Sequence, residues 1–296
     1  MRGRATLWLV VLISLSALTS AWATDEIQVY NAEIAEIGQW TIEQHLNYTW
    51  VGRTQPDFPG GLIPNHSLNG TPELGYGITD WWELGFYAPF AISGGGQVLS
   101  NARKIRNLFV SPNAAERNFF YGVNFEWSYE TPPFAQTRYA LEIRPIIGVR
   151  NSEWEFIVNP IVDLSFGSLG EADFAPAARL ARNLGHDVFV GAEYYADYGK
   201  IGDFLPFNQQ QQELFAVTDF KAGVFDIELG AGYGFTAGSD RFITKAIIGY
   251  AFPVPGKGDH SDRSMDMPLK APAMAKSATL APWQTSSVPD VFAATR

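Results

Sequence analysis

The chain of 296 residues has no cysteine, which excludes disulfide staples, thiolate metal centres and thiol nucleophiles. Charge is sparse at 18% of residues, and bases are fewer than acids, 21 Lys and Arg against 31 Asp and Glu. With a formal net charge of −10 and no basic run, a nucleic-acid partner is not expected. Long apolar runs are also scarce: beyond residues 1–23 no segment approaches the roughly 18 apolar residues of a membrane helix. Mean hydropathy is −0.06, an average that would suit a soluble protein. A wall with one dry face and one wet face gives the same average, because its lipid-facing side chains occupy only alternate positions.

What is present begins with an export pattern. Arg2 and Arg4 form a basic start, Ala5 to Leu18 an apolar stretch, and Ala21-Trp22-Ala23 a small-residue cleavage site, so residues 1–23 read as a signal peptide. Its removal takes the net charge to about −12. Residues 24–38 then read as an N-terminal periplasmic segment.

Between residues 39 and 252, apolar and polar side chains alternate one by one. Trp40-Thr41-Ile42-Glu43-Gln44-His45-Leu46-Asn47-Tyr48-Thr49-Trp50 shows this most plainly. A β-strand sends Trp40, Ile42, Gln44, Leu46, Tyr48 and Trp50 to one face and Thr41, Glu43, His45, Asn47 and Thr49 to the other. Ten steps of about 3.3 Å, tilted by about 40°, project to about 25 Å, the height of the apolar band on an outer-membrane barrel. Strands are expected near 39–51, 68–78, 82–91, 101–110, 117–130, 138–150, 153–166, 172–182, 187–198, 211–221, 225–236 and 241–252.

The connections alternate in length as such a barrel requires. The short ones are Thr79 to Trp81, Ser111 to Glu116, Asn151-Ser152, Asn183 to His186 and Ala222 to Val224. The others are Gly52 to Ser67, Ser93 to Ser100, Thr131 to Thr137, Gly167 to Glu171, Gly199 to Gln210 and Ala237 to Asp240. A two-residue turn at Asn151-Ser152 would set Val149 opposite Trp154 and Ile147 opposite Phe156, and the second hairpin would pair Ile78 with Trp82 and Tyr76 with Leu84. The fold class expected is therefore all-β: a transmembrane antiparallel up-and-down barrel of about twelve strands over residues 39–252, with both mature termini periplasmic. Residues 253–296, rich in Pro, Ala and Ser, read as a disordered periplasmic tail.

Leu74-Gly75-Tyr76-Gly77-Ile78-Thr79-Asp80, followed by Glu83-Leu84-Gly85 and Pro89, resembles a pattern found in exported bacterial barrels of the phenol-degradation MetA-pathway family. The motif covers about 20 residues, and the hairpin rhythm extends over most of 36–252. The resemblance implies an outer-membrane transporter or channel for a small organic solute, aromatic or otherwise apolar. Such barrels usually end on an aromatic residue, whereas Arg296 ends this chain; Tyr250 and Phe252 are the expected substitutes as the signal to the barrel-insertion machinery.

Strand phase places Glu43, His45, Glu83, Glu126, Arg138, Glu142, Arg144, Glu155, Asp163, Arg179, Glu193, Asp197, Asp219, Lys221, Glu228 and Lys245 on the inward face. Charges of both signs there would line a narrow aqueous path, or pair into a network that closes the interior. Glu142, Arg144 and Glu155 are expected to cluster. Gly75, Gly77, Gly85, Gly230, Gly232 and Gly234 are inward and would leave room for large lumen side chains; Gly230 to Gly234 lies in a strand with no helix after it, which argues against a nucleotide loop. Pro145 and Pro160 fall in mid-strand on the outward face, where a bulge is the ordinary outcome and a weakened wall the alternative.

No catalytic centre is expected, since a barrel phospholipase needs Ser and His together on the lipid side, and His45 points inward while His66 and His186 lie in connections. No cofactor or resident metal is expected either; His260 with Met265, Met267 and Met274 could catch copper, but their scatter through an Ala/Pro tail is ordinary composition. Expected partners are outer-membrane lipid, a small-molecule solute and the insertion machinery. A non-conducting barrel that presents its loops for interaction is the alternative function, and a soluble periplasmic ligand-binding β protein a further one.

Overall fold

The computed structural model describes residues 26–100 and 102–254. The expected signal peptide and nearly all of the tail, with His260 and its methionines, lie outside these residues. The rest forms a closed, antiparallel up-and-down barrel of 12 strands. These are β1 (Trp40–Val51), β2 (Leu68–Thr79), β3 (Trp82–Tyr87 with Phe90–Ile92), β4 (Val98–Leu99 with Ala102–Val110), β5 (Phe119–Glu130) and β6 (Tyr139–Arg150). They continue as β7 (Trp154–Asn159 with Val162–Phe166), β8 (Ala172–Phe174 with Ala177–Gly185), β9 (Val188–Asp197), β10 (Gln211–Ala222), β11 (Phe225–Gly234) and β12 (Phe242–Ala251). Each strand pairs with its neighbours in sequence, and β1 closes the ring by pairing with both β2 and β12. Closure leaves no open sheet edge, the condition for a β structure to cross lipid.

Alternation sorts the faces as the sequence implies. In β1, Trp40, Ile42 and Trp50 are exposed on the outside, whereas Thr41, His45, Asn47 and Thr49 are buried inside. Aromatic rings gather at both rims. At the end bearing short turns, Trp40 meets Tyr76 at 4.6 Å and Tyr250 meets Phe252 at 4.9 Å; at the loop end, Tyr48 meets Trp50 at 4.6 Å and Tyr129 meets Tyr139 at 5.5 Å. An outer surface of this kind would be a liability in water, which sets aside a soluble ligand-binding protein.

Two hairpins differ from the expected register. Asn151 pairs with Trp154, its side chain accepting from the N–H groups of Glu153 and Trp154, so the turn is Ser152-Glu153 and Val149 lies opposite Phe156 instead of Trp154. The shift is two places in register, so every side chain keeps its face. In the β2–β3 hairpin, Tyr76 opposes Leu84 as expected, but a bulge sets Thr79 and not Ile78 against Trp82. The β8–β9 turn tightens to His186-Asp187, whose φ angles of 54° and 58° match the type I′ geometry that suits twisted strands.

Prolines account for three interruptions, at Pro89, Pro160 and Pro176, and none of them shifts the register. On both sides of Pro160 the β6–β7 pairing stays in phase, from Ile147 with Val158 to Ile143 with Val162, so the expected bulge is absent and Pro145 stands opposite Pro160. Pairing of Asn151 with Trp154 fixes which pairs exchange hydrogen bonds, and Pro145–Pro160 falls on a bonded one. Both of its donors are missing. On the far side, Ala177 with Asn159 and Val162 with Phe174 place Pro176 beside Pro160.

Candidate functional site

The interior is the candidate site, and its main feature is a length of the chain itself. Residues 26–35 of the segment expected as a periplasmic lead-in run inside the barrel as a strap, with Ile27, Val29, Tyr30, Ala32 and Ala35 buried, and 36–38 lead out of it at the turn end. Val29, Tyr30 and Ala32 pack on Leu108, Val110, Phe120, Ile146 and Ile157, inward side chains of β4 to β7. Because the strap forms no strand, its backbone groups need partners from the wall. Lys245 Nζ donates to the Ile27 carbonyl at 2.9 Å, Arg144 Nη1 to Gln28 at 3.1 Å and Arg150 Nη2 to Asn31 at 3.0 Å. Asn159 accepts from the Tyr30 N–H at 2.7 Å and donates to the Tyr30 carbonyl at 3.1 Å. The Ala35 N–H donates to Glu83 Oε2, and Gly77 lets the strap pass, since a Cβ there would lie 2.1 Å from the Glu36 carbonyl.

Around the strap the wall charges form ion-pair groups. Arg179 reaches Glu193 at 2.6 Å, Glu228 at 3.5 Å, Glu155 at 3.6 Å and Asp219. Lys245 joins the same group through Glu228 at 2.5 Å and Glu193, and Tyr195 donates to Glu193 at 2.7 Å. Arg106 binds Glu73 at 2.5 Å and Glu83. Lys104 binds Glu126 at 2.9 Å, and Arg144 binds Glu142 at 2.6 Å while its guanidinium lies 4.3 Å from the Tyr30 ring centre. Buried charge held this way is tolerable only while each pair stays complete.

The structure buries His45, Glu83, Glu126, Arg144, Glu155, Asp163, Arg179, Glu193, Asp219 and Lys245, and half-buries Glu43, Glu142, Asp197 and Glu228. Lys221 is half-buried near the turn end, 3.4 Å from Asp226, and Arg138 is exposed in the bend before β6 rather than inside. The expected cluster of Glu142, Arg144 and Glu155 is divided: Glu155 lies opposite Arg150 and binds it at 3.0 Å, because the hairpin register differs from the one assumed. Gly85 and Gly230 do leave room for large side chains, as a Cβ would come within 2.8 Å of Arg106 and 2.9 Å of Lys245.

Sequence phase missed Glu73, Lys104, Arg106 and Arg150, all buried. In β4 the inward set is Ala102, Lys104, Arg106, Leu108 and Val110, and its last two residues are apolar because they touch the strap. Without the strap in view, that alternation looks irregular.

Strap residues line two cavities of the described interior. One, of about 140 Å³ toward the turn end, is lined by the strap with Glu43, Glu83, Arg106, Arg179 and Glu228. The other, of about 120 Å³, is lined by Glu26, Glu126, Glu142, Asp163, Asp197 and Glu213 against Lys104 and Arg144. At the loop end Arg53 binds Asp240 at 3.2 Å and also Asp57, whose carboxyl is pushed above its usual range by burial while Arg53 opposes the shift.

No family model matches the chain, and no curated protein matches it in sequence. Among solved structures, an outer-membrane channel from Pseudomonas putida F1 superposes with a TM-score of 0.54 at 11% identity, covering 77% of this chain and 100% of the channel. The KdgM porin gives 0.49 at 9% identity over 72% of this chain and 99% of the porin, and the NanC porin 0.47 at 9% over the same shares. At such identity, the likeness to the Pseudomonas channel concerns the fold.

Proposed function

We propose that this chain is an outer-membrane channel or transporter that passes small solutes through a narrow, charged lumen, with both mature termini periplasmic. The observation that carries the reading is the interior: ionic side chains on the wall, and cavities of about 140 and 120 Å³ lined by the wall and the strap. A barrel that only needed stability would gain as much from apolar packing, because replacing buried ion pairs with apolar side chains is often neutral or stabilising. The buried and half-buried charged residues of the wall named above are the proposed lumen lining, Tyr250 and Phe252 the contact for the insertion machinery, and lipid the partner of the outer face. The chemistry is passage rather than catalysis.

The finer assignment, to the phenol-degradation MetA-pathway barrels with an aromatic or apolar solute, rests on the motif from Leu74 to Pro89. A fold shared with a solved outer-membrane channel is compatible with it. Planar-bilayer recordings of the purified protein test both levels. Ion conductance is expected, with cations preferred because carboxylates outnumber bases around the second cavity. A block by small aromatic solutes is expected if the finer assignment holds. A silent barrel would favour the second reading, a non-conducting interaction barrel, for which the strap's passage through the interior is the supporting observation.

A further inference from the structure

The wall beside the first cavity holds three side chains that neither the ion-pair groups nor the strap fully uses. Glu43 on β1 and Glu73 on β2 lie directly opposite each other, a like-charge pair that destabilises a sheet unless something positive sits between them. His45, two residues along β1 on the same face, is 1% exposed, and neither of its ring nitrogens has a hydrogen-bond partner. Its Nε2 lies 3.5 Å from Glu73 Oε2 and 3.6 Å from Glu43 Oε2.

Those separations discriminate between two explanations. An imidazolium bridging two carboxylates would draw them to about 2.7–2.9 Å, the length of a charge-assisted hydrogen bond. Nitrogen and oxygen donors each about 2.1 Å from a tetrahedral ion stand about 3.4 Å apart. The two nitrogen–oxygen distances match the second, and the three donor atoms all lie within 4.8 Å of one another. Support for the ligands is also present: the other Glu73 oxygen accepts from Arg106 at 2.5 Å, which fixes the carboxylate. Across the β1–β12 ladder Glu43 faces Gly249, so no side chain covers it from that side, and both residues line the cavity.

We infer that Glu43, His45 and Glu73 form a binding site for one divalent transition-metal cation on the inner wall, with its remaining coordination position open to the adjacent cavity. A set of one imidazole and two carboxylates suits divalent first-row ions such as Zn²⁺, Co²⁺ or Mn²⁺. A bound ion would offset the opposed carboxylates and could take an oxygen donor from water or from a solute in the lumen. The site does not depend on whether the barrel conducts.

Cobalt titration of the detergent-solubilised, chelator-treated full chain tests the assignment, in a His260→Ala background that removes the tail imidazole. One equivalent of Co²⁺ is expected to bind with the visible absorption of a low-coordinate nitrogen–oxygen site and to be displaced by Zn²⁺. His45→Ala should weaken binding by more than the 10- to 100-fold that loss of a supporting partner typically costs. Glu43→Gln, half-exposed at the cavity, provides a second variant should His45→Ala fail to give the heat-dependent gel mobility of a folded barrel. Absence of the cobalt spectrum in the parent chain, or equal binding by parent and folded variants, overturns the assignment.

Discussion

Replacement of Lys245 by methionine is the sharpest perturbation available, because one ammonium joins the wall network to the strap. Its side chain is 0% exposed and contacts Glu228 at 2.5 Å, the Ile27 carbonyl at 2.9 Å, Tyr195 Oη at 3.2 Å and Glu193. Methionine fills nearly the same volume but leaves Glu193 with Arg179 and Tyr195, and Glu228 with Arg179 at 3.5 Å. Breaking a buried pair on one side costs about 3–5 kcal/mol, and leaving the Ile27 carbonyl without a donor about 1–3 kcal/mol. The second figure acts on the strap and should raise its opening roughly 5- to 140-fold, at 1.4 kcal/mol per factor of ten. Since the chain has no cysteine, Val29→Cys supplies a single thiol, at a position only 5% exposed. Maleimide labelling of Val29→Cys should be slow, and faster by that factor when Lys245→Met is added. Adding Glu228→Gln should recover part of the global loss without slowing the labelling. Equal labelling rates in two barrels of unchanged gel mobility would refute the view that wall cations hold the strap.

Further expectations can be checked by denaturant unfolding in detergent. Arg179→Met should cost about 3–5 kcal/mol because Glu155, Glu193 and Asp219 lose their shared cation; a loss below 1 kcal/mol would show that the carboxylates repartner. Pro145→Val with Pro160→Val restores two ladder donors at one bonded pair and should stabilise by about 1–3 kcal/mol, with slow amide exchange at position 160; rapid exchange there would disprove the pairing. Asp187→Gly, at φ 58°, should relieve about 1 kcal/mol of left-handed strain, and a destabilised barrel would argue against the type I′ turn.

The wall was legible in the sequence because lipid and lumen impose a period of two that survives every turn. The slip of two places at Asn151 shows why: register errors of even length leave the faces intact and displace only the partners. That slip was enough to misplace Glu155, which needed knowledge of Arg150 rather than Arg144. The strap was not legible. Residues 26–35 have no alternation, since they pack against several strands at once and take their hydrogen bonds from distant side chains such as Asn159, Arg144 and Lys245. Their apolar residues Ile27, Val29 and Tyr30 carry no period from which a barrel interior can be read. Leu108 and Val110 were the available signal, two apolar residues on an otherwise charged inward face.

The most direct measurement compares single-channel conductance of the intact barrel with that of a chain lacking residues 26–37, each first shown to be folded by heat-dependent gel mobility. A channel whose lumen the strap narrows should carry a small, cation-preferring current, and loss of the strap should widen the path and raise it. Equal currents from both, or none from either, would contradict the account.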